Sequence, residues 1–249
     1  MARPFRYTFI LGLVAAGTAL AAVGGWRYAR ASAPVSGPII LLSIDALRAD
    51  RLPLYGYTRV KTPALDALGA DGVVFERAYS HVPQSLPAHA SMLSGRLPYD
   101  TGVLGCLGFS LKDSERMLAE VLGDRDYATG AVVSSMALGR ETGLAQGFAS
   151  FDDHMEETDD RAQSDGALDT SVGPILRDGE SSERAAEHWL QSVGTPRAFL
   201  FLHLAEPHAP HTPPSRFAEY DPYDGEVAHA DEIVGRLVKY LKGHQLYDQ

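Results

Sequence analysis

Two hydrophobic periods run through this chain. Near-continuous apolar runs occur at 39–44 (Ile39-Ile40-Leu41-Leu42-Ser43-Ile44) and at 198–204 (Ala198-Phe199-Leu200-Phe201-Leu202-His203-Leu204). Runs of this kind predict strands buried on both faces, as in a parallel sheet. Residues 128–134, with the β-formers Thr129, Val132 and Val133, predict a third strand. Residues 73–79 predict a short fourth. Helical spacing takes over between them. Thr62 and Pro63 open a helix that Gly72 ends. Residues 86–94 form the next, with Gly95 as its stop. Helices are also predicted over 113–122, over 183–193 and over 227–241, the last with Val227, Ala230, Ile233, Val234, Leu237 and Leu241 on one stripe. Strands alternate with helices and no repeat is evident, so the class is α/β with a largely parallel sheet.

The N-terminus follows neither period. Arg3 and Arg6 precede an uncharged run over 7–26, about the 20 residues that span a bilayer core. Trp26, Arg27, Tyr28 and Arg30 form an interfacial edge after it. Residues 1–33 are therefore expected to be a single-span membrane anchor, with the rest of the chain outside the cytoplasm, in the periplasm. The other reading is a signal peptide cleaved at Ala31-Ser32-Ala33, giving a secreted product. Residues 34–38 read as a linker, and 39–249 as one α/β domain.

Composition narrows the partners. Hydrophobic residues make up 45% of 249, ample for a packed core. The formal net charge of -10 argues against a nucleic-acid binder, which needs basic surface to displace counterions. Cys106 is the single cysteine, so no intrachain disulfide holds the fold. The stretch 152–180 is largely acidic with little apolar periodicity, and reads as a solvated loop or insertion.

Candidate chemistry gathers after the strands, where α/β folds place ligand sites. Asp45 directly follows the first strand and is a candidate metal ligand; it also reads as a helix cap. Pro83 and Pro87 bracket Ser85, which places that hydroxyl at or near an N-cap. Free N–H groups and the positive dipole end there favour an anion, which suits a nucleophile for a phosphate or sulfate ester. The same serine also reads as an ordinary cap. After the strand at 198–204 comes Glu206-Pro207-His208-Ala209-Pro210, in which His208 is placed to contact a ligand's oxygens, protonate a leaving group or bind metal.

Together these stretches resemble the sulfatase family of the alkaline phosphatase superfamily. The resemblance rests on residues 42–50, on Thr62-Pro63-Ala64-Leu65-Asp66, on 72–80, and on Ser85-Leu86-Pro87-Ala88-His89 with Leu93-Ser94-Gly95-Arg96. It resumes at 206–210 and at Tyr223-Asp224-Gly225-Glu226-Val227. It implies a mixed, largely parallel sheet with helices on both faces, and hydrolysis or transfer of sulfate or phosphate esters of small molecules, glycans or lipids. It implies a divalent cation (calcium, or zinc, manganese or magnesium), with Asp45 and Ser85 among its ligands. Ser85 would be the nucleophile, His208 would lie near the substrate's oxygens, and His89 joins the catalytic candidates.

The departures from the family pattern carry information of their own. The family signature ends in serine-arginine where this chain has Ala88-His89. Conversion of Ser85 to formylglycine is then disfavoured, and a plain hydroxyl is expected. Asp45 is followed by Ala46 where many sulfatases carry a second aspartate, and residues 134–139 lack the family's lysine-histidine pair. The family's remaining aspartate-histidine ligands would follow the last helix, yet the chain stops at Gln249. The expectation is a membrane-anchored hydrolase that is C-terminally truncated. The alternatives are a head-group transferase of the same superfamily and a catalytically incompetent domain.

Overall fold

The computed structural model describes residues 37–155 and 176–247. The expected anchor over 1–33, most of the linker and the middle of the acidic stretch lie outside the described residues. Among the described residues no helix is long and apolar enough to cross a membrane.

Among the described residues four strands form one sheet in the order β1–β4–β2–β3, and every pairing in it is parallel. They are β1 (Ile39–Ile44), β2 (Ala128–Val132), β3 (Ser150–Asp152) and β4 (Ala198–Leu204). The helices that matter for the site are α1 (Pro63–Asp71), α2 (Ser85–Ser94), α3 (Pro98–Thr101), α4 (Leu118–Gly123), α5 (Gly179–Val193) and α6 (Pro222–Gly243). Parallel neighbours need crossover connections, and the helices supply them on both faces of the sheet. One face packs Phe199, Phe201, Ala131 and Val133 against Leu86, Ala90 and Leu93 of α2. The other packs Leu200, Leu202 and Leu204 against Ala186 and Leu190 of α5 and Ile233, Val234 and Leu237 of α6.

β4 sits inside the sheet, and all seven of its residues are buried. The apolar run at 198–204 is thus matched end to end. β1 is different: among the described residues it lies at the sheet edge with β4 as its one strand neighbour, and all six of its residues are half-buried rather than covered on both faces. An apolar run reports burial of side chains, not a strand's place in the sheet. The strand expected over 73–79 is absent. Val73, Phe75 and Tyr79 are 81%, 71% and 84% exposed, and no strand among the described residues pairs with them. β-propensity alone does not make a strand without a partner.

Several helix starts differ from the expected ones, three of them at a side-chain cap. α2 begins on Ser85 itself, with Gln84 as the N-cap, so Ser85 is the first helical residue rather than the cap. α4 starts at Leu118, well inside the expected 113–122, because the Glu120 carboxylate accepts the Met117 N–H at 2.8 Å. α5 starts before its apolar periodicity, since Asp178 Oδ1 accepts the Ser181 N–H at 2.9 Å. α6 likewise starts at Pro222, after the cap Asp221.

Two features of α5 and α6 have energetic consequences. The first is the turn after β1, where Ala46 has φ 56, a left-handed conformation costly for a residue with a Cβ. Tyr223 of α6 holds it: its hydroxyl donates to Ala46 O and accepts the Arg48 N–H, each at 2.9 Å. The second is Glu183 of α5, which is 2% exposed. Burial, and then the Glu187 carboxyl one turn on, push Glu183 up to about 8, against the pull of Arg236. Arg236 Nε lies 3.7 Å from Glu183 Oε2.

Two outcomes follow. Tyr223→Phe removes both bonds to the Ala46 turn and is expected to lower unfolding free energy by about 1–2 kcal/mol in urea titrations. For Glu183, the folded state keeps a proton that the unfolded chain releases near the ordinary carboxyl range. Stability is therefore expected to be full below about pH 4.5 and to fall as pH rises toward about 8. Urea midpoints measured across that interval should show the fall, and Glu183→Gln should flatten it.

Candidate active site

The site forms where the apolar alternation of two strands stops. On the face toward α2, β1 presents Ile39, Leu41 and then Ser43, and β4 presents Phe199, Phe201 and then His203. The parallel register pairs Ser43 with His203. Asp45 follows, its N–H still bonded to Leu204 O at 2.9 Å. The first turn of α2 lies over these strand ends and brings Ser85 and His89 down to them.

Ser85 and Asp45 meet directly. The Ser85 hydroxyl donates to Asp45 Oδ2 at 2.7 Å, while Asp45 Oδ1 accepts the Ala46 N–H at 3.0 Å. As the first residue of α2, Ser85 presents its hydroxyl at the helix's positive end. The two residues that carried the chemistry in sequence are thus in contact across 40 positions.

His89 stands behind them, nearly buried at 4% exposure. Its Nδ1 lies 2.7 Å from Ser85 O and its Nε2 lies 2.8 Å from Ser43 Oγ. A carbonyl oxygen can only accept, so Nδ1 carries the hydrogen and Nε2 accepts from the Ser43 hydroxyl. Burial first, and then the neighbouring His203 imidazole, push His89 down to about 4, which keeps it neutral. Both ring nitrogens are committed to the scaffold, and neither reaches the Ser85 hydroxyl. In this geometry His89 fastens the first turn of α2 to the end of β1.

His203 is the residue that strand periodicity conceals. It is wholly buried, and its ring meets that of His89 edge to face with centroids 5.1 Å apart. Its Nε2 lies 3.5 Å from Asp45 Oδ2, longer than an ordinary hydrogen bond. Burial alone would raise the Asp45 carboxyl. The donors facing it, His203 and then Ser85, outweigh burial and hold Asp45 well below the usual carboxylate range. The signal in the sequence was a polar residue at the final position of the same face in both strands.

His208 is not brought into this cluster by any hydrogen bond, ion pair or ring contact among the described residues. Its Nδ1 lies 2.7 Å from Ala209 O. It lines a cavity of about 280 Å³ with Arg177, Glu206, Glu226 and His229. There Glu206 Oε1 accepts the Gly179 N–H at 2.7 Å, and burial, with the Glu206 carboxylate adding to it, raises Glu226 above the ordinary range.

The described residues do not by themselves fit a resident divalent cation. Asp45 and Ser85 are oxygen donors of the right kind, but a hard cation takes about six ligands or more. Among the described residues no three His, Cys, Asp or Glu side chains stand together in a cation-holding group. His203 turns a nitrogen toward Asp45 that carries a proton rather than a free lone pair, as its hydrogen bond from Ser134 requires.

Comparison with known proteins agrees with this architecture. The Sulfatase family profile matches residues 38–249. N-acetylgalactosamine-6-sulfatase of Sus scrofa is 26% identical over 256 residues, covering 84% of this chain and 48% of the relative. Arylsulfatase A of Homo sapiens is 38% identical over 97 residues, covering 37% of this chain and 19% of the relative. The chain spans about half the length of the first of these relatives. Among solved structures, the phosphonate monoester hydrolase of Agrobacterium radiobacter superposes with a TM-score of 0.66 at 18% identity, covering 85% of this chain and 60% of the other. A protein solved with its substrate D-glucosamine-2-N,6-O-disulfate gives 0.64 at 13% identity, covering 86% and 63%. These structural likenesses concern the fold. The matched profile runs from the start of β1 through the whole of the described sheet and both its helical layers, and the chain belongs to the sulfatase family.

Proposed function

We propose that this chain carries the nucleophile of a hydrolase of sulfate esters, and that Ser85 is that nucleophile. The observation that carries the reading is the 2.7 Å hydrogen bond from the Ser85 hydroxyl to Asp45 at the N-terminus of α2. Asp45 aims one lone pair of Ser85 outward, and the unpaired N–H groups of the first turn attract the ester's anionic oxygens. Attack by Ser85 Oγ forms an Oγ–S bond as the ester's S–O bond breaks. The hydroxyl proton leaves by way of Asp45 Oδ2, the departing alkoxide takes up a proton, and water then releases sulfate from the serine. Asp45 is held too acidic to keep that proton, so its part is orientation and relay.

The substrate class rests on family membership and on relatives named for N-acetylgalactosamine-6-sulfate chemistry. Sulfated glycans are accordingly the first substrates in this reading. A phosphate ester, hydrolysed or transferred as a head group, is the second. It is favoured by one observation: His89, not arginine, closes the signature, which leaves Ser85 a plain hydroxyl. Metal dependence belongs to the proposal only with ligands from outside the described residues joining Asp45 and Ser85; calcium, zinc, manganese or magnesium would then supply neutralisation of developing negative charge. The uncharged run over 7–26 supports a membrane anchor that holds the domain outside the cytoplasm.

Turnover of aryl sulfates, 6-O-sulfated amino sugars and bis-aryl phosphates, each with and without added divalent cation, tests the reading. Ser85→Ala is expected to lower kcat by about 1,000-fold or more, the scale lost with a covalent nucleophile, without unfolding the chain. Unchanged turnover in that variant removes Ser85 from the mechanism.

A further inference from the structure

His203 is an expensive residue to place where it is. The two positions before it on the same face of β4, Phe199 and Phe201, are apolar and fully buried, and so is His203. A buried imidazole needs partners for both nitrogens. Its Nδ1 has one: the Ser134 N–H approaches at 3.4 Å, and the Ser134 hydroxyl fixes the strand end by donating to His203 O at 2.6 Å. A backbone N–H can only donate, so Nδ1 accepts and the hydrogen sits on Nε2. That Nε2 has no hydrogen-bond partner within ordinary distance. It lies 3.5 Å from Asp45 Oδ2, the oxygen that accepts the Ser85 hydroxyl.

We propose that His203 is a positioning residue for the reaction at Ser85. Its Nε2–H faces Asp45 Oδ2, the same oxygen that accepts the Ser85 hydroxyl, so that the carboxylate in turn fixes that hydroxyl. The inference rests on the reading of Ser85 as nucleophile. Three features make the arrangement directional. Ala46 N–H occupies Asp45 Oδ1, so rotation of the carboxylate is constrained at both oxygens. The His89 ring packs edge to face on His203 and blocks its turning. The β1–β4 register places Ser43 opposite His203, and Ser43 binds His89, which holds the Ser85 carbonyl. Two imidazoles thus brace the nucleophile from below, one through its backbone and one through its carboxylate partner.

The test uses the full chain. His203→Leu removes the donor at similar volume, and His203→Gln returns an N–H near the Nε2 position. With a turned-over ester, His203→Leu is expected to lower kcat about 10–100-fold, the scale seen when a group that orients a site carboxylate or imidazole is lost. KM should stay unchanged, and His203→Gln should recover most of the loss. Melting temperatures of the two variants are read alongside. Equal loss of kcat in both variants, tracking their melting temperatures, would mean a structural role and overturn the proposal; so would wild-type kcat in His203→Leu. A second readout does not depend on turnover. Long-range nitrogen–proton spectra of histidine-labelled protein are expected to show His203 as the Nε2–H tautomer, with its Nε2 resonance moved by Asp45→Asn. The opposite tautomer, or an unmoved resonance, overturns the proposal. Absence of turnover in the wild type would count against the ester-hydrolase reading alone, and the spectra would then decide the role of His203.

Discussion

Parallel pairing of β1 with β4 is the constraint from which the site follows. The register sets Ser43 against His203 at the last position of the face that α2 covers. One residue later on β1 the chain turns away, and Asp45 is delivered to the strand end with its N–H still bonded to β4. A slip of β4 by one residue would move His203 to the opposite face, toward α5 and α6, and take it away from Ser43 and Asp45. The seven buried residues of β4 resist such a slip, because Phe199 and Phe201 would leave one core while Leu200 and Leu202 left the other.

The polar cluster is tolerated in an otherwise apolar layer because nearly every group in it has a partner of fixed polarity. His89 donates to a carbonyl and accepts from a hydroxyl, and burial keeps it neutral. Asp45 accepts from Ser85 and from the backbone of Ala46. Directly after Asp45 the chain takes a left-handed turn at Ala46, which Tyr223 holds from α6. Departure from the family signature is concentrated in the same place. His89 stands where the signature has arginine, and its hydrogen bonds run inward to the scaffold rather than outward toward solvent.

Much of this was legible in the sequence. The apolar runs gave β1 and β4 their bounds, and proline and glycine located α2 to within one residue. Asp45 stands out because it follows a strand end and Ser85 because two prolines set it at a helix start, and the structure puts them in contact. What escaped the sequence has physical reasons. His203 was hidden inside an apolar run, since a strand's two faces were read as one. Tyr223 reaches the Ala46 turn across 177 positions, a distance that local pattern does not bridge. The strand expected over 73–79 had the propensity but no neighbour among the described residues, and helix starts moved to where an aspartate or glutamate capped the first turn, earlier for α5 and α6 and later for α4. Motif order groups His208 with Ser85, and among the described residues His208 lines a cavity with Glu206, Glu226 and His229.

The central claim is that Ser85, aimed by Asp45, takes the transferred group. Acid quenching during turnover of a sulfate or phosphate ester, followed by peptide mapping, tests it most directly. The account predicts sulfate or phosphate covalently attached to Ser85, and none in Asp45→Ala. Turnover with the group attached to another residue, or with Ser85 found as formylglycine, would contradict it.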